Sequence, residues 1–338
     1  MQPKHGGRLN EAAQRWGIPR DQWLDLSTGI NPVGWPVPEI PAQIWQRLPE
    51  EDDGLSDIIR DVTGVPAIAD CEPVAGSQAA IMALPRLRQR CRVGIPIIGY
   101  REHEYSWRQA GHEIVSITPT QTSYDDERWL DQLDVLVWIN PNNPTGELIP
   151  PATLLRWHQR LQQRGGWLIV DEAFMDATPE LSLCAHAGLP GLIILRSLGK
   201  FYGLAGARAG AVLTEPSIAQ SLRQLLGPWS LSGPSRYVMA QALLDTEWQE
   251  QTRIRLQRDT QRLADILQAA GLRLLSGTVL FQTVRIHAPI ALAEYLSAQG
   301  ILVRTFEQPG MLRFGLAADQ QQWQRLEMAL MTYTGVKT

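Results

Sequence analysis

The chain has 338 residues, of which 44% are hydrophobic, and a net charge of -4. That length exceeds one ordinary domain and implies two. The slightly acidic balance, with no broad basic stretch, argues against nucleic acid as a partner. The three cysteines, Cys71, Cys91 and Cys184, are odd in number and far apart, so they suggest neither a disulfide framework nor a metal cluster. The opening Met-Gln-Pro-Lys-His lacks the apolar core of a signal peptide, and no apolar run reaches the roughly 18 residues of a membrane span. A cytoplasmic enzyme without a membrane partner is therefore expected.

Residues 8–17 read as a short helix with Leu9, Ala12, Ala13 and Trp16 on one face, ended by Pro19. Leu24-Asp25-Leu26-Ser27 reads as a short strand, and Thr28-Gly29-Ile30-Asn31-Pro32 as the turn after it. Prolines from Pro32 to Pro41 mark an extended crossing, where a domain boundary is placed. From about residue 54, helices and short apolar strands alternate. Gly76-Ser77-Gln78 opens a helix expected to run to about Gln89. Strands are expected at Val93 to Ile98, Glu113 to Ile117, Val135 to Ile139, Trp167 to Val170, Leu192 to Leu195 and Gly210 to Leu213. This alternation predicts an α/β fold, a mostly parallel sheet with helices on both faces. Residues 246–270 read as a long charged helix connecting two domains. Then come strand-like Val279 to Ile286, a helix at 289–299, strand-like Ile301 to Val303 and Met311 to Gly315, and a last helix from Gln320. These form a small α+β domain, completed by the N-terminal residues. The expected boundaries are 34–245 for the large domain and 1–33 with 246–338 for the small one. Of the 12 tryptophans, Trp16, Trp23, Trp45 and Trp107 fall in helical-looking segments and are expected to pack.

In such a sheet ligands gather at the carboxyl ends of the strands, and polar residues cluster there. Gly76-Ser77-Gln78 sits at a helix start, where free N–H groups bind phosphate, although any small polar cap looks the same. Tyr100 follows the strand ending near Ile98, and an aromatic there can stack on a planar ring. Asn140-Pro141-Asn142-Asn143-Pro144-Thr145-Gly146 makes a rigid turn after Ile139. Asp171 follows Leu168-Ile169-Val170, and a carboxylate at the end of a buried strand must be paired. It suits either a helix cap or a protonated ring nitrogen. Lys200 stands in a Gly-rich loop after the strand Leu192 to Leu195, between Ser197 and Arg208. A lysine so placed suits a Schiff base with an aldehyde, and the serine and arginine suit that aldehyde's phosphate. The cofactor this points to is pyridoxal phosphate.

These residues together resemble the fold type I family of pyridoxal-phosphate aminotransferases and related decarboxylases, over most of the chain. The resemblance gives Lys200 the Schiff base and Asp171 the ring nitrogen, both as catalytic residues. It gives Asn143 the phenolic oxygen, Tyr100 the ring face, and Ser77, Gln78, Ser197 and Arg208 the phosphate. His5-Gly6-Gly7, the phrase Leu24 to Pro32, Asp171-Glu172-Ala173-Phe174, Arg196 to Tyr202 and Pro228-Trp229-Ser230 look closer to the threonine-phosphate decarboxylases of cobalamin synthesis than to histidinol-phosphate aminotransferases. The resemblance further implies that His5, Asn31, Arg304 and Arg313 bind the acidic groups of a small phosphorylated amino acid, and that the protein is a homodimer. Arginine suits both carboxylate and phosphate because its fork donates two parallel bonds. Two departures stand out. Many aminotransferases of this fold carry tyrosine where Phe174 stands, and relatives often have tyrosine where Leu48 stands. Phe174 cannot bond the phenolic oxygen, and Leu48 cannot reach a partner subunit's cofactor phosphate.

The expected reaction is decarboxylation of L-threonine O-3-phosphate. An aminotransferase of the histidinol-phosphate type shares every cofactor residue. A non-catalytic relative of the fold would carry no need for Lys200, Asp171 and Asn143 together.

Overall fold

The near-continuous apolar runs of the middle of the chain are strands whose two faces are both covered, which is why they read as runs and not as alternation. The computed structural model describes residues 3, 5–118 and 127–335. In chain order its strands are β1 (Leu24–Asp25), β2 (Asp70–Val74), β3 (Arg92–Pro96), β4 (Glu113–Ile117), β5 (Val135–Ile139), β6 (Trp167–Asp171), β7 (Leu192–Ser197), β8 (Gly210–Thr214), β9 (Arg273–Thr278), β10 (Phe281–Arg285), β11 (Ile301–Leu302), β12 (Arg304–Phe306) and β13 (Met311–Gly315). The chain divides into two units. One holds Trp35–Asn143 and Glu147–Trp248; the other holds Lys4–Gly34, Pro144–Gly146 and Gln249–Thr338.

The first unit is built on a seven-stranded sheet in the order β2-β8-β7-β6-β5-β3-β4. All neighbours are parallel except those of β8, which runs against both β7 and β2. One face sends Val93, Ile95, Val135, Val137, Ile169, Ile193, Leu195 and Val212 into a core with Ala80, Ile81, Leu84, Trp107, Ile218 and Leu222. On the other face Leu136, Trp138, Leu168, Val170, Leu192 and Ile194 are also buried. The register sets Ile139 beside Asp171 and Asp171 beside Leu195. The loops after β5, β6 and β7 therefore leave the sheet side by side.

Two features of this unit differ from expectation. The helix opened by Ser77 is α-helical only over Ser77–Ala83 and tightens into a 3-10 turn at Leu84–Leu87. Pro85 has no N–H to give back to Ile81, so the regular helix stops there. Strand β2 was hidden by Pro73; it is tolerated because β2 is an edge strand and proline is confined to such edges. Trp107 and Trp23 are packed as expected, while Trp45 is 64% exposed.

The second unit carries a four-stranded antiparallel sheet, β12-β13-β10-β9, and the short parallel pair β1-β11. The strand expected from Val279 to Ile286 is the second arm of a hairpin. Its first arm is β9, and the chain turns at residues 279–280. Val303 separates β11 from β12, so two successive short strands join different sheets. The helix Thr246–Ala269 is the long helix expected at 246–270. Among the described residues no helix is long and apolar enough to cross a membrane, and no cluster of His, Cys, Asp and Glu is arranged to hold a metal.

Candidate active site

At the carboxyl ends of β5, β6 and β7 a pocket is lined by Ser77, Gln78, Tyr100, Asn143, Asp171, Phe174, Ser197, Lys200 and Arg208, among others. Every cofactor residue named from the sequence lies in this wall. They are delivered by several strand ends and one helix start, Ser77 and Gln78 together from that helix and Ser197 and Lys200 both from the end of β7, which is how a parallel sheet assembles a site.

The turn after β5 is held by its own asparagines. Asn140 exchanges two bonds with Ile149, donating from Nδ2 to the carbonyl at 3.1 Å and accepting from the N–H at 2.8 Å. Asn142 donates to Ile98 O at 2.9 Å, and its N–H reaches Glu147 O at 2.7 Å. With Asn140 and Asn142 spent on the backbone, Asn143 is the asparagine of the turn that lines the pocket.

Asp171 is 3% exposed. Its Oδ2 lies 2.9 Å from His103 Nε2, and its Oδ1 accepts from Ala173 N at 3.1 Å. A carboxylate only accepts, so Nε2 is the protonated nitrogen of that imidazole. His103 was not singled out from the sequence; it stands on helix Glu102–Gln109, three residues after Tyr100. Tyr100 donates to Gln78 Oε1 at 3.1 Å, and Gln78 Nε2 donates to Glu102 at 3.0 Å. The side chain of Gln78 is thus turned onto Tyr100 and Glu102. Burial, with the carboxylates of Glu102 and Asp171 nearby, pushes the Tyr100 phenol up to about 12 and keeps it neutral.

Arg208 and Lys200 bring cationic groups to the same pocket. Arg208 takes a left-handed backbone, φ 49 and ψ 50, straight after a 3-10 turn. Such a conformation costs a non-glycine residue roughly 1–2 kcal/mol. Its guanidinium lies against Gly76, where a Cβ would sit 2.9 Å from Nη2. Gly210, opposite Ser197 in the sheet, has no room for a Cβ either, because Arg196 O and Ser77 N close over it. Two glycines therefore let the start of helix Ser77–Ala83 and Arg208 close on the end of β7. The Lys200 ammonium lies 5.7 Å from the centre of the Phe174 ring. The donor set fits pyridoxal phosphate: hydroxyls and a guanidinium for a phosphate, a braced carboxylate for a ring nitrogen, and an amine for an aldehyde.

Adjacent in the chain to Asp171 and Ser197 is a charged cluster the sequence did not reveal. Glu172 is 0% exposed. It accepts from Arg196 Nη1 at 2.9 Å, Leu183 N at 2.8 Å and Ser182 Oγ. Arg196 also pairs with Asp176. Burial raises the Glu172 carboxyl, and Arg196 opposes that shift. The three charges join the chain just after Asp171 to the residue just before Ser197.

The residues expected to meet substrate are all in the second unit. Arg304 on β12 and Arg313 on β13 are direct cross-strand partners, so their side chains share one face. Arg313 is 6% exposed and donates to Ser27 O at 2.6 Å. Burial, with the Arg304 charge beside it, pushes Arg313 down to about 9. Burial and the neighbouring Arg8 also lower Arg304. Ser27 ties this pair to the N-terminus: Gly7 N donates to Ser27 Oγ at 2.7 Å, and Ser27 Oγ donates to Asp25 at 2.6 Å. A Cβ on Gly6 would run into Ser27 O. The close approach explains Gly6, and Gly7 takes a left-handed φ of 76. His5, Arg8, Ser27 and Arg304 line a cavity of about 300 Å³ within this unit. Asn31 is 2% exposed and uses Oδ1 to accept from Val33 N and Arg255.

The aminotransferase class I and II family model matches residues 73–337. The chain is 51% identical to the threonine-phosphate decarboxylase of Pseudomonas aeruginosa over 330 residues, 98% of each protein. It is 38% identical to that of a Sinorhizobium species, over 96% of this chain and 97% of the relative. Among solved structures, the histidinol-phosphate aminotransferase of Sinorhizobium meliloti in complex with pyridoxal-5'-phosphate superimposes with a TM-score of 0.82. It is 20% identical and covers 98% of this chain and 94% of its own; that likeness bears on the fold. With the matched segment spanning the Lys200 pocket, the chain belongs to the aminotransferase class I and II family.

Proposed function

We propose that the protein decarboxylates L-threonine O-3-phosphate to (R)-1-aminopropan-2-ol O-2-phosphate and CO2, supplying the aminopropanol arm of cobalamin. The observation that carries this reading is the 51% identity to a threonine-phosphate decarboxylase along 98% of both chains. In this reading Lys200 holds the cofactor aldehyde; Ser77, Gln78, Ser197 and Arg208 hold its phosphate; Asn143 faces its phenolic oxygen; and Tyr100 covers its ring. Gln78 contributes through its backbone N–H, since its side chain is engaged by Tyr100 and Glu102.

Pyridoxal phosphate, when bound, supplies an electron sink for the pair left behind when a bond to the α-carbon breaks. Asp171, braced by His103, would hold a negative charge against the ring nitrogen of the bound cofactor and so favour its protonated form. Arg304 and Arg313, with His5 and Asn31, take the carboxylate and phosphate of the substrate and so select an amino acid with two acidic groups. The C–C bond to the carboxylate breaks, CO2 leaves, and Lys200 Nζ delivers the proton that replaces it at the α-carbon. The side chain at Phe174 cannot donate a hydrogen bond, which leaves the phenolic oxygen to Asn143.

The protein acts in this reading as a cytoplasmic homodimer. Three free thiols, Cys71, Cys91 and Cys184, support a reducing compartment. Trp45 and Leu48, 64% and 62% exposed beside a groove of about 430 Å³, support self-association. Incubation with L-threonine O-3-phosphate tests the reaction. CO2 release without an amino acceptor is expected; amino transfer to 2-oxoglutarate without CO2 overturns it. Lys200→Ala should abolish both turnover and the visible absorbance of the bound cofactor.

A further inference from the structure

Glu102 opens helix Glu102–Gln109 and is 8% exposed. Its Oε2 accepts from Gln78 Nε2 at 3.0 Å, and Gln78 Oε1 accepts from the Tyr100 hydroxyl at 3.1 Å. Gln78 and Tyr100 both line the Lys200 pocket. A carboxylate only accepts, so the Gln78 amide must turn its NH2 to Glu102 and its oxygen to Tyr100. Reversing the amide would set oxygen against oxygen. With Oε1 facing it, the phenol must donate. The direction of both bonds is therefore set at Glu102. The Tyr100 ring is also met edge-on by His103, with ring centroids 6.2 Å apart and planes at 81°. One helix start thus restrains Tyr100 at two points: Glu102 reaches its hydroxyl through Gln78, and His103 meets its ring.

We propose that Glu102 is a positioning residue: through the Gln78 amide it tethers the Tyr100 hydroxyl and so holds the Tyr100 ring at one angle in the cofactor pocket. The assignment rests on the reading that Tyr100 covers the ring of pyridoxal phosphate. It adds that the side chain of Gln78 serves as a link and not as a phosphate ligand. A cover held at its hydroxyl has lost its rotamer freedom before the cofactor arrives, so binding need not order it again. Glu102 acts through Gln78 and Tyr100.

The test reads three quantities: the visible circular dichroism of the holoenzyme, the dissociation constant of pyridoxal phosphate, and the melting temperature of the cofactor-free protein. Glu102→Leu should raise the dissociation constant about tenfold, the size of one lost bond to a charged group. It should also weaken the visible dichroic band at saturating cofactor, because the ring is no longer held at one angle. Gln78→Leu removes the link but keeps the backbone N–H, and should do the same. Glu102→Gln still offers an oxygen to Gln78 and should recover most of both signals. Should Glu102→Leu fail to fold, Gln78→Leu set against Glu102→Gln carries the comparison. Tyr100→Phe should match Glu102→Leu, and the double variant should be no worse than Tyr100→Phe alone. Wild-type dichroism and affinity in Glu102→Leu and Gln78→Leu overturn the tether, as does a change confined to melting temperature. Fully multiplicative effects in the double variant overturn it too, since Glu102 would then act apart from Tyr100. A wild-type Tyr100→Phe beside an impaired Tyr100→Ala overturns the tether while leaving Tyr100 as the ring cover. Wild-type dichroism and affinity in Tyr100→Ala overturn the ring-cover reading and this inference together.

Discussion

Arg304 and Arg313 stand directly opposite each other on two adjacent antiparallel strands. Like charges in that relation repel, and burial, with that repulsion added to it, pushes Arg313 down to about 9. An anion bound by the pair relieves the repulsion and favours the charged form, so binding draws a proton onto Arg313 as pH approaches that value. We therefore expect kcat/KM for a phosphorylated amino acid to be level at neutral pH and to fall as pH rises through about 9. Stability without substrate runs the other way. Above about 9 the unfolded chain carries a proton on Arg313 that the folded chain lacks, so the contribution of this group to folding rises with pH. A kcat/KM profile from pH 7 to 10, beside a denaturation series over the same range, checks both signs. A level kcat/KM across that range would show that Arg313 either keeps its charge to pH 10 or takes no part in substrate binding.

The contact between His103 Nε2 and Asp171 leads to a second expectation. Both side chains are almost wholly buried, at 2% and 4% exposure. His103→Leu keeps the bulk but deletes the donor, leaving a buried carboxylate short of one partner, at a cost of about 1–3 kcal/mol. If Asp171 works by keeping a ring nitrogen protonated, that loss appears in kcat, by about 10- to 100-fold, and in a shifted absorbance of the bound cofactor. His103→Gln, which can still donate, should lie between. A variant that loses only thermal stability, with kcat intact, would make the pair a packing feature.

How much of this could be read from the chain follows from the range of each interaction. Strands β3 and β5 to β8 were legible because both of their faces are covered and each is a short apolar run bounded by turn residues. Strands β2 and β9 were not, because Pro73 and Gly277 interrupt the local pattern while the pairing that stabilises them comes from β8 and β10. Lys200, Asp171 and Asn143 announced themselves because each follows an apolar run at the carboxyl end of a strand. Their supports did not. His103 reaches Asp171 across 68 positions and Arg255 reaches Asn31 across 224, and no periodicity encodes a partner at that separation. The two glycines after His5 are an intermediate case. The phrase was visible, but its reason, the approach of Gly6 to Ser27 and the left-handed φ of Gly7, needed the fold.

The cluster of Glu172, Arg196 and Asp176 predicts a large effect on folding. Removing one member of a buried pair strands the other, at about 3–5 kcal/mol. Glu172→Ala should cost that much in chemical denaturation, because it leaves the Arg196 guanidinium facing Asp176 alone, with Ser182 Oγ and Leu183 N deprived of their acceptor. Glu172→Gln keeps an acceptor oxygen for Leu183 N and should cost less. Equal stability of Glu172→Ala and the wild type would show that water enters and solvates Arg196.

Gly210 offers the sharpest test of the cationic groups in the pocket. A Cβ there would lie 2.9 Å from Ser77 N and 3.2 Å from Gly76 C, and it also meets Arg196 O, so every neighbour is backbone and none can swing aside. Gly210→Ala must push the Gly76-Ser77 turn away from the end of β7. The nearest atom is Arg196 O on β7, so the ends of the two strands, where Gly210 opens β8 and Ser197 closes β7, shift as well. The displacement falls on Ser77 and on Arg208, whose guanidinium rests against Gly76. If these groups hold the cofactor phosphate, the variant should keep most of its melting temperature when measured without cofactor, yet lose pyridoxal phosphate on dialysis. Its dissociation constant should rise about tenfold or more, as expected when charge-assisted bonds are pulled out of alignment. Because phosphate contacts lie away from the reacting carbon, kcat at saturating cofactor should recover. A variant that binds cofactor normally would place the phosphate elsewhere in the pocket.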